Sequence, residues 1–357
     1  MKKTVGQSEK YKKIFWGVFS PLIAVLTVWA VLKQNESVSI SEIIDTARRA
    51  DPVFLMAAGI CSFLYVWFEG VAVRSIVKSS GYRQSRRNGL IYAAADVYFS
   101  AITPSATGGQ PASAYFMTLD GIPGGVTAAA LVLNLMMYTV SVVVLGIIAV
   151  IVSPGAFFNF SASSRVFIAM GAVVLSMLSA FFLLLLVKGD KVFLVIHRII
   201  CFFGQKGIIK RTEKLLVKLE KAKKDYSRCA ALFSKDHGLL VRAFLWNFLQ
   251  RASQIVVPMI LYLSFGGKSE LACEMFSRQC LITIGYNFVP IPGAMGIADY
   301  LMIDGFSGIV GREGAVALEM LGRGLTFYIC VTLSGIITLI GYILKKRIQN
   351  QNLKIKL

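Results

Sequence analysis

Apolar runs recur at residues 14–32, 52–73, 126–152, 166–187, 239–265 and 324–344. Each is close to or above the ~20 residues that carry an α-helix across the ~30 Å hydrocarbon core of a bilayer. Leu, Val, Ile, Ala and Phe fill these runs without period-2 alternation, which predicts helices rather than the strands of a membrane barrel. The pattern therefore predicts an all-α polytopic membrane protein with about six full spans. The run at 14–32 is too long for a secretory leader and lacks its small-residue cleavage site, so it is expected to stay as an anchor.

Two polar interruptions fall inside otherwise apolar stretches. In 88–125 an apolar leg, 89–102, breaks at Thr103-Pro104-Ser105-Ala106-Thr107-Gly108-Gly109-Gln110-Pro111, and a second leg, 112–119, follows. At 1.5 Å per residue these legs reach only ~21 and ~12 Å, so a re-entrant hairpin is the economical reading. In 271–303 the break is Val289-Pro290-Ile291-Pro292-Gly293-Ala294-Met295-Gly296. Its first leg is long enough to cross, which leaves a broken full crossing open.

The breaks align with each other. Pro104-Ser-Ala-Thr-Gly108 matches Pro292-Gly-Ala-Met-Gly296, Tyr115-Phe-Met117 matches Tyr300-Leu-Met302, and Asp120-Gly121 matches Asp304-Gly305. Each hairpin is flanked by one span on either side, in 52–152 and in 238–344, and the two units begin on opposite membrane faces. This predicts an inverted-topology repeat, an architecture that puts a binding site near the bilayer midplane. The rest divides into a tail, first span and outer loop (1–51), a connecting span (153–187), a basic region (188–237) and a tail (345–357).

Composition agrees with the pattern: the 357 residues are 56% hydrophobic and only 16% charged, with a mean hydropathy of +0.66. A net charge of +19 would suggest a nucleic-acid partner if it were gathered on a soluble face, but its positions read as topology. Of 38 Lys and Arg, five lie in 1–13, four in 78–87, thirteen in 188–235 and five in 345–356, while 153–164 carries no charge and 266–270 a single lysine. The positive-inside rule makes the basic segments cytoplasmic, which puts both termini inside a plasma-membrane protein and leaves no nucleic-acid partner to expect.

Within the basic region, Ile208, Leu215, Leu219, Ala222, Tyr226, Cys229 and Phe233 recur at helical spacing, with Lys210, Arg211, Lys214, Lys218, Lys221, Lys223 and Lys224 on other faces. This predicts a basic amphipathic helix lying on anionic inner-leaflet lipids, with a plain retention signal as the alternative. The six cysteines form no CxxC pair, and both histidines, His197 and His237, lie in the basic region. The cysteines read as small apolar residues, and no metal or other cofactor is expected.

A helix broken at membrane depth leaves backbone groups that only protein, water or a polar substrate can satisfy. Thr103, Ser105, Thr107 and Gln110 add side-chain donors and acceptors at the first break, and Gly108 and Gly109 admit close approach. The helix start after each break offers N–H groups to a phosphate; Gly293 and Gly296 mark the second. The alternative is a break that only shapes helix packing. Ionisable residues within the apolar runs are costly and count as candidates: Glu69, Asp96, Arg251, Arg278, Asp299 and Arg323, with Asn247, Gln250, Gln254 and Gln279 near the arginines. Arg74 and Arg242 lie near span ends, where snorkelling accounts for them. Glu319 and Arg323 stand one turn apart, so a local ion pair is also open. These residues nominate a mixed-sign polar pathway and no catalytic dyad or triad.

At 102–111, at Pro290-Ile-Pro-Gly-Ala-Met-Gly-Ile-Ala-Asp299 and at Arg323, the chain resembles the lysylphosphatidylglycerol synthase/flippase transmembrane family, the membrane region of the multiple peptide resistance factor. It departs from the family pattern at Ala294, where a second Gly is common, and at Asp299, where a Glu is common. The resemblance implies movement of an aminoacylated phospholipid to the outer leaflet, with resistance to cationic antimicrobial peptides as the consequence. In full-length relatives a separate cytosolic domain transfers lysine. Here the chain stops at Leu357, 13 residues after the last span, so that domain is expected to be absent and lysyltransferase chemistry has no residues to carry it.

The leading expectation is a lipid translocase whose substrate is a phospholipid such as lysylphosphatidylglycerol, bound by the candidate residues above. A membrane-embedded transferase acting on lipid-linked donors and an ion-coupled carrier of small solutes are the alternatives. A homo-oligomer and a separate lipid-modifying enzyme remain open as partners.

Overall fold

A computed structural model describes residues 40–103, 106–205 and 212–355. The expected first span at 14–32, Pro104 and Ser105 of the first break, and Ile208, Lys210 and Arg211 of the basic helix lie outside the described residues. All regular structure among the described residues is helical.

A short helix, α1 (Ile40–Arg49), leads into α2 (Pro52–Ser79). Asp51 caps α2 by accepting from the Val53 N–H at 2.8 Å, and Pro52 stands at the first turn, where a missing N–H breaks no helical bond. Two antiparallel legs follow, α3 (Arg86–Ile102) and α4 (Gly109–Leu119), packed on one another. At ~26 and ~17 Å neither reaches across a bilayer core. The second leg begins at Gly109, earlier than the expected 112, because Pro111 is tolerated in a first helical turn. The next helices are α5 (Gly124–Val152), α6 (Ala162–Gln205) and α7 (Thr212–Lys235). The dihedrals of α6 leave the helical region at Lys188 (φ −122, ψ 30), where its apolar run ends.

The expected span at 239–265 is two helices, α8 (His237–Ile255) and α9 (Val257–Ser264). Pro258 lacks the N–H that would bond the Gln254 carbonyl, and its ring crowds that carbonyl, so the helix divides at Val256. Then come α10 (Ala272–Asn287), the second break, α11 (Ile297–Arg323), a π-helical stretch (Gly324–Ile329) and α12 (Cys330–Ile355). Gly311 (φ 74, ψ 170) interrupts α11. The second hairpin therefore has legs at 272–287 and 297–310, ~24 and ~21 Å long, both short of a bilayer core. Its second leg runs past the expected end at 303. Helices α2, α5, the first part of α6, and the run from Pro292 to Lys346 are long and apolar enough to cross.

The inverted repeat is visible in backbone and packing together. Gly121 (φ 81) and Gly311 (φ 74) both turn the chain between a second leg and the span after it. Ala106 (φ 53) and Ala294 (φ 50), aligned positions of the two breaks, are the non-glycine residues with positive φ among those described. The aligned Asp120-Gly121 and Asp304-Gly305 pairs, however, are not equivalent. Gly305 lies inside a leg, where a Cβ would run into Phe160, because the second leg is longer. Contacts come in matched sets: α2 packs on α8, the first hairpin's α3 on α12, and the second hairpin's α10 on α5. Each hairpin is thus held by a span of the other unit.

The expected amphipathic helix forms as α7, but Tyr226, Cys229 and Phe233 of its apolar stripe are buried in a core with residues of α5. That part of the stripe is covered by protein instead of lipid.

Candidate functional site

Between the two breaks lies a cavity of about 580 Å³. Seven of the expected residues line it: Glu69, Asp96, Thr107, Gln110, Arg251, Gly293 and Arg323. They come from α2, α3, α4, α8, α11 and both breaks, so the wall exists only when the two units close on each other.

The acidic side is built from the first hairpin and α2. Gln110 Nε2 donates to Asp96 Oδ2 at 2.7 Å, tying α4 to α3 across the break, and Ser100 Oγ donates to Asp96 Oδ1 at 3.1 Å. Gln250 Nε2 on α8 donates to Glu69 Oε2 at 3.0 Å. Gly109 closes the hairpin: a Cβ at that position would collide with Asp96 Oδ1 and Ser100 Oγ. Thr103 and Gly108 stand behind the wall. Thr103 Oγ1 donates to the Phe99 carbonyl at 2.6 Å and accepts from the Gly108 N–H at 2.8 Å, which fixes the end of α3. Ser105 lies outside the described residues.

The basic side centres on Arg251. Its guanidinium lies over Tyr138 at 4.0 Å and Tyr65 at 4.9 Å, and donates to Tyr65 Oη at 3.0 Å and Gln254 Oε1 at 2.9 Å. Two aromatic faces hold a cation in a dry site without neutralising it. Arg251 Nε, Gln110 Oε1, Gln250 Oε1 and Gln279 Oε1 are buried without hydrogen-bond partners, and all four residues line the cavity. Buried polar atoms left this way face something the protein itself does not supply.

Arg323 is placed differently from expectation. Arg323 Nε lies 2.8 Å from Asp299 Oδ1 and Nη2 donates to the Gly293 carbonyl at 3.0 Å, while Glu319 sits beside Asp299 within electrostatic reach of Arg323. Asp299 in turn accepts from the Gly296 N–H at 2.8 Å. The N-terminus of α11 is therefore already occupied by a carboxylate, and that of α4 also lies against one, Asp96, with its Gly108 N–H taken by Thr103. Both helix starts nominated for a phosphate therefore already meet side chains of the protein.

Arg278 does not line the cavity. Its guanidinium binds Glu274 one turn away and the Gly305 carbonyl, and it is 3% exposed. Sequence could not separate it from Arg251, since both lie deep in apolar helices. Arg242 is exposed, with Nε on the Gly238 carbonyl. Of the cysteines, Cys229, Cys280 and Cys330 are buried as expected, while Cys273 is exposed. Sequence reasoning missed Tyr65, Ser100, Tyr138 and Asn134. A lone Asn in the apolar run at 126–152 was a usable signal for the last; aromatic residues in apolar runs give none.

Fold and cavity define a class: a polytopic helical membrane protein with two oppositely facing broken hairpins around a mixed-charge chamber. The chain belongs to the family described as the lysylphosphatidylglycerol synthase TM region, whose model matches residues 17–334. It is similar to a UPF0104 membrane protein of Archaeoglobus fulgidus, 22% identical over 341 residues, which cover 92% of this chain and 98% of that protein. A UPF0104 membrane protein of Methanothermobacter thermautotrophicus is 22% identical over 290 residues, 79% of this chain and 83% of that protein. One from Pyrococcus horikoshii is 29% identical over 128 residues, 36% and 37% of the two chains.

Proposed function

We propose that this protein is a lipid translocase that moves a polar or aminoacylated phospholipid, with lysylphosphatidylglycerol as the leading substrate, between the leaflets of the plasma membrane. The observation that carries this reading is the pairing, in one cavity between two broken hairpins, of Arg251 with the carboxyl groups of Glu69 and Asp96. A phosphodiester suits Arg251; a headgroup ammonium suits the carboxyls. A chamber of about 580 Å³ is of headgroup size, so the acyl chains stay in lipid. The family's description, which names lysylphosphatidylglycerol, supports the choice of lipid.

The positive-inside rule puts Lys78, Arg86 and Lys345 in the cytoplasm, with both termini. On that side Lys345 on α12 binds both carboxylate oxygens of Asp120, which also accepts from Tyr92. On the opposite side the Ser161 N–H donates to Asp304 Oδ2 at 3.0 Å, and Ser163 shares a 2.8 Å hydrogen bond with Tyr300. Rocking of the two units would open one set while keeping the other, giving alternating access to the cavity.

Leaflet-resolved lipid analysis of host cells tests the proposal. Loss of the protein should deplete the outer leaflet of lysylphosphatidylglycerol at unchanged total content, and unchanged leaflet ratios for every lipid would refute it.

A further inference from the structure

Glu69 on α2 and Asp96 on α3 are neighbouring carboxyl groups in the cavity wall. Both residues are buried, at 5% and 7% exposure. Two bare carboxylates side by side in a buried site repel each other and present acceptors only, so such a pair shares one proton. The neighbours fix the pair without supplying a second charge: Gln110 and Ser100 donate to Asp96, and Gln250 donates to Glu69. Arg251 on α8 is the cation that faces it. The other titratable groups around this centre are Tyr65 on α2, Tyr138 on α5, Tyr286 on α10 and the Cys330 thiol on α12. With one proton on the pair, its single negative charge is matched by Arg251.

We infer that the Glu69–Asp96 pair is a proton-binding site whose proton is exchanged for the ammonium of the headgroup, so that lipid movement is coupled to a proton gradient. This inference rests on the translocase reading. Lysylphosphatidylglycerol brings one phosphate and two ammonium groups; with the phosphate on Arg251, two ammoniums beside a singly protonated pair would leave the buried site with uncompensated positive charge. Release of the proton restores the balance: a headgroup carrying one net positive charge enters, one proton leaves, and no covalent bond changes. At the other membrane face the ammonium departs and the pair takes up a proton from that side. Outward movement of the headgroup therefore brings a proton inward.

Because Gln110 joins Asp96 to the second leg of the hairpin, exchange at the pair acts where the first break is held closed.

The test uses the full chain purified in detergent, in weak buffer with a pH-indicating dye, titrated with lysylphosphatidylglycerol and separately with phosphatidylglycerol. Bound lipid is counted in parallel by native mass spectrometry. The expected result is release of about one proton per bound lysylphosphatidylglycerol and none per bound phosphatidylglycerol. Release per bound lipid should fall at least ~5-fold in Glu69→Gln and in Asp96→Asn. Infrared spectroscopy reads the same event without a variant: the protonated-carboxyl stretch of the wild-type protein should vanish as the lipid binds. Lipid bound by the wild type with no proton released, or with that stretch unchanged, overturns the exchange and leaves the translocase reading standing. Failure of lysylphosphatidylglycerol to bind at all overturns both.

Discussion

Arg323 Nε lies 2.8 Å from Asp299 Oδ1, joining the end of α11 to the residue that caps its beginning. The two stand 24 positions apart on either side of the Gly311 turn, so the pair holds the second break against the span that follows. Its side chains are only 8% and 17% exposed. Removing one partner strands a buried charge, which costs about 3 kcal/mol or more; replacing both with apolar residues avoids that penalty. Arg323→Met should therefore lower the thermal midpoint in detergent strongly, and Arg323→Met with Asp299→Leu should recover most of the loss. Equal midpoints for the single and double variants would show that the pair does not hold the break.

Strain at the two breaks makes a second prediction. Ala106 and Ala294 sit at φ 53 and φ 50, a region that costs a residue with a Cβ about 1–2 kcal/mol. Glycine relieves this but adds freedom to the unfolded chain, worth about 0.5–1 kcal/mol in the other direction. Ala294→Gly should thus stabilise by about 0.5 kcal/mol, whereas Ala112→Gly, inside a helix, should destabilise by about 1 kcal/mol. Thermal unfolding of the two variants checks the opposite signs.

Gly109 should tolerate no side chain. The Cβ of Gly109→Ala would enter the space of Asp96 Oδ1 and Ser100 Oγ, forcing α4 away from α3 and breaking the Gln110–Asp96 bond. The expected outcome is loss of leaflet exchange by ~10-fold or more, as misplacement of about 1 Å can impose. Flux in proteoliposomes measures it.

The contact of Lys345 with Asp120 joins α12 to the turn after α4, on the side that the proposed orientation makes cytoplasmic. Lys345→Ala should bias the protein toward opening there. Hydrogen exchange should then accelerate at 119–124 and around Tyr92, while the segments holding Asp304 and Ser161 keep their protection. Uniform acceleration would mean general loosening in place of a gate.

Much of the architecture was legible because lipid imposes it. Apolar length picked out α2, α5 and the first part of α6 as long enough to cross, and Pro and Gly marked both breaks. The division at Val256 was foreshadowed by Pro258, whose consequence depends on its place in a helix. Two further features were hidden. The split of α11 at Gly311 depends on a backbone angle that glycine permits without requiring. The partner of Arg323 lies across a turn, so helical spacing pointed to Glu319 instead. Charge in an apolar run pointed to Glu69, Asp96 and Arg251, which line the cavity, and equally to Arg278, which does not, because burial cost alone does not tell a cavity wall from a private ion pair.

The central claim is that Arg251 reads the phosphate of a lipid headgroup crossing the membrane. The most direct measurement is made in proteoliposomes with lysylphosphatidylglycerol confined at first to one leaflet, its arrival in the other followed by an impermeant amine-reactive dye. The account predicts protein-dependent exchange in the wild type that falls at least ~10-fold in Arg251→Ala, since a desolvated cation that pairs with phosphate is worth at least ~1.4 kcal/mol. Exchange at the wild-type rate in a folded Arg251→Ala protein would contradict it.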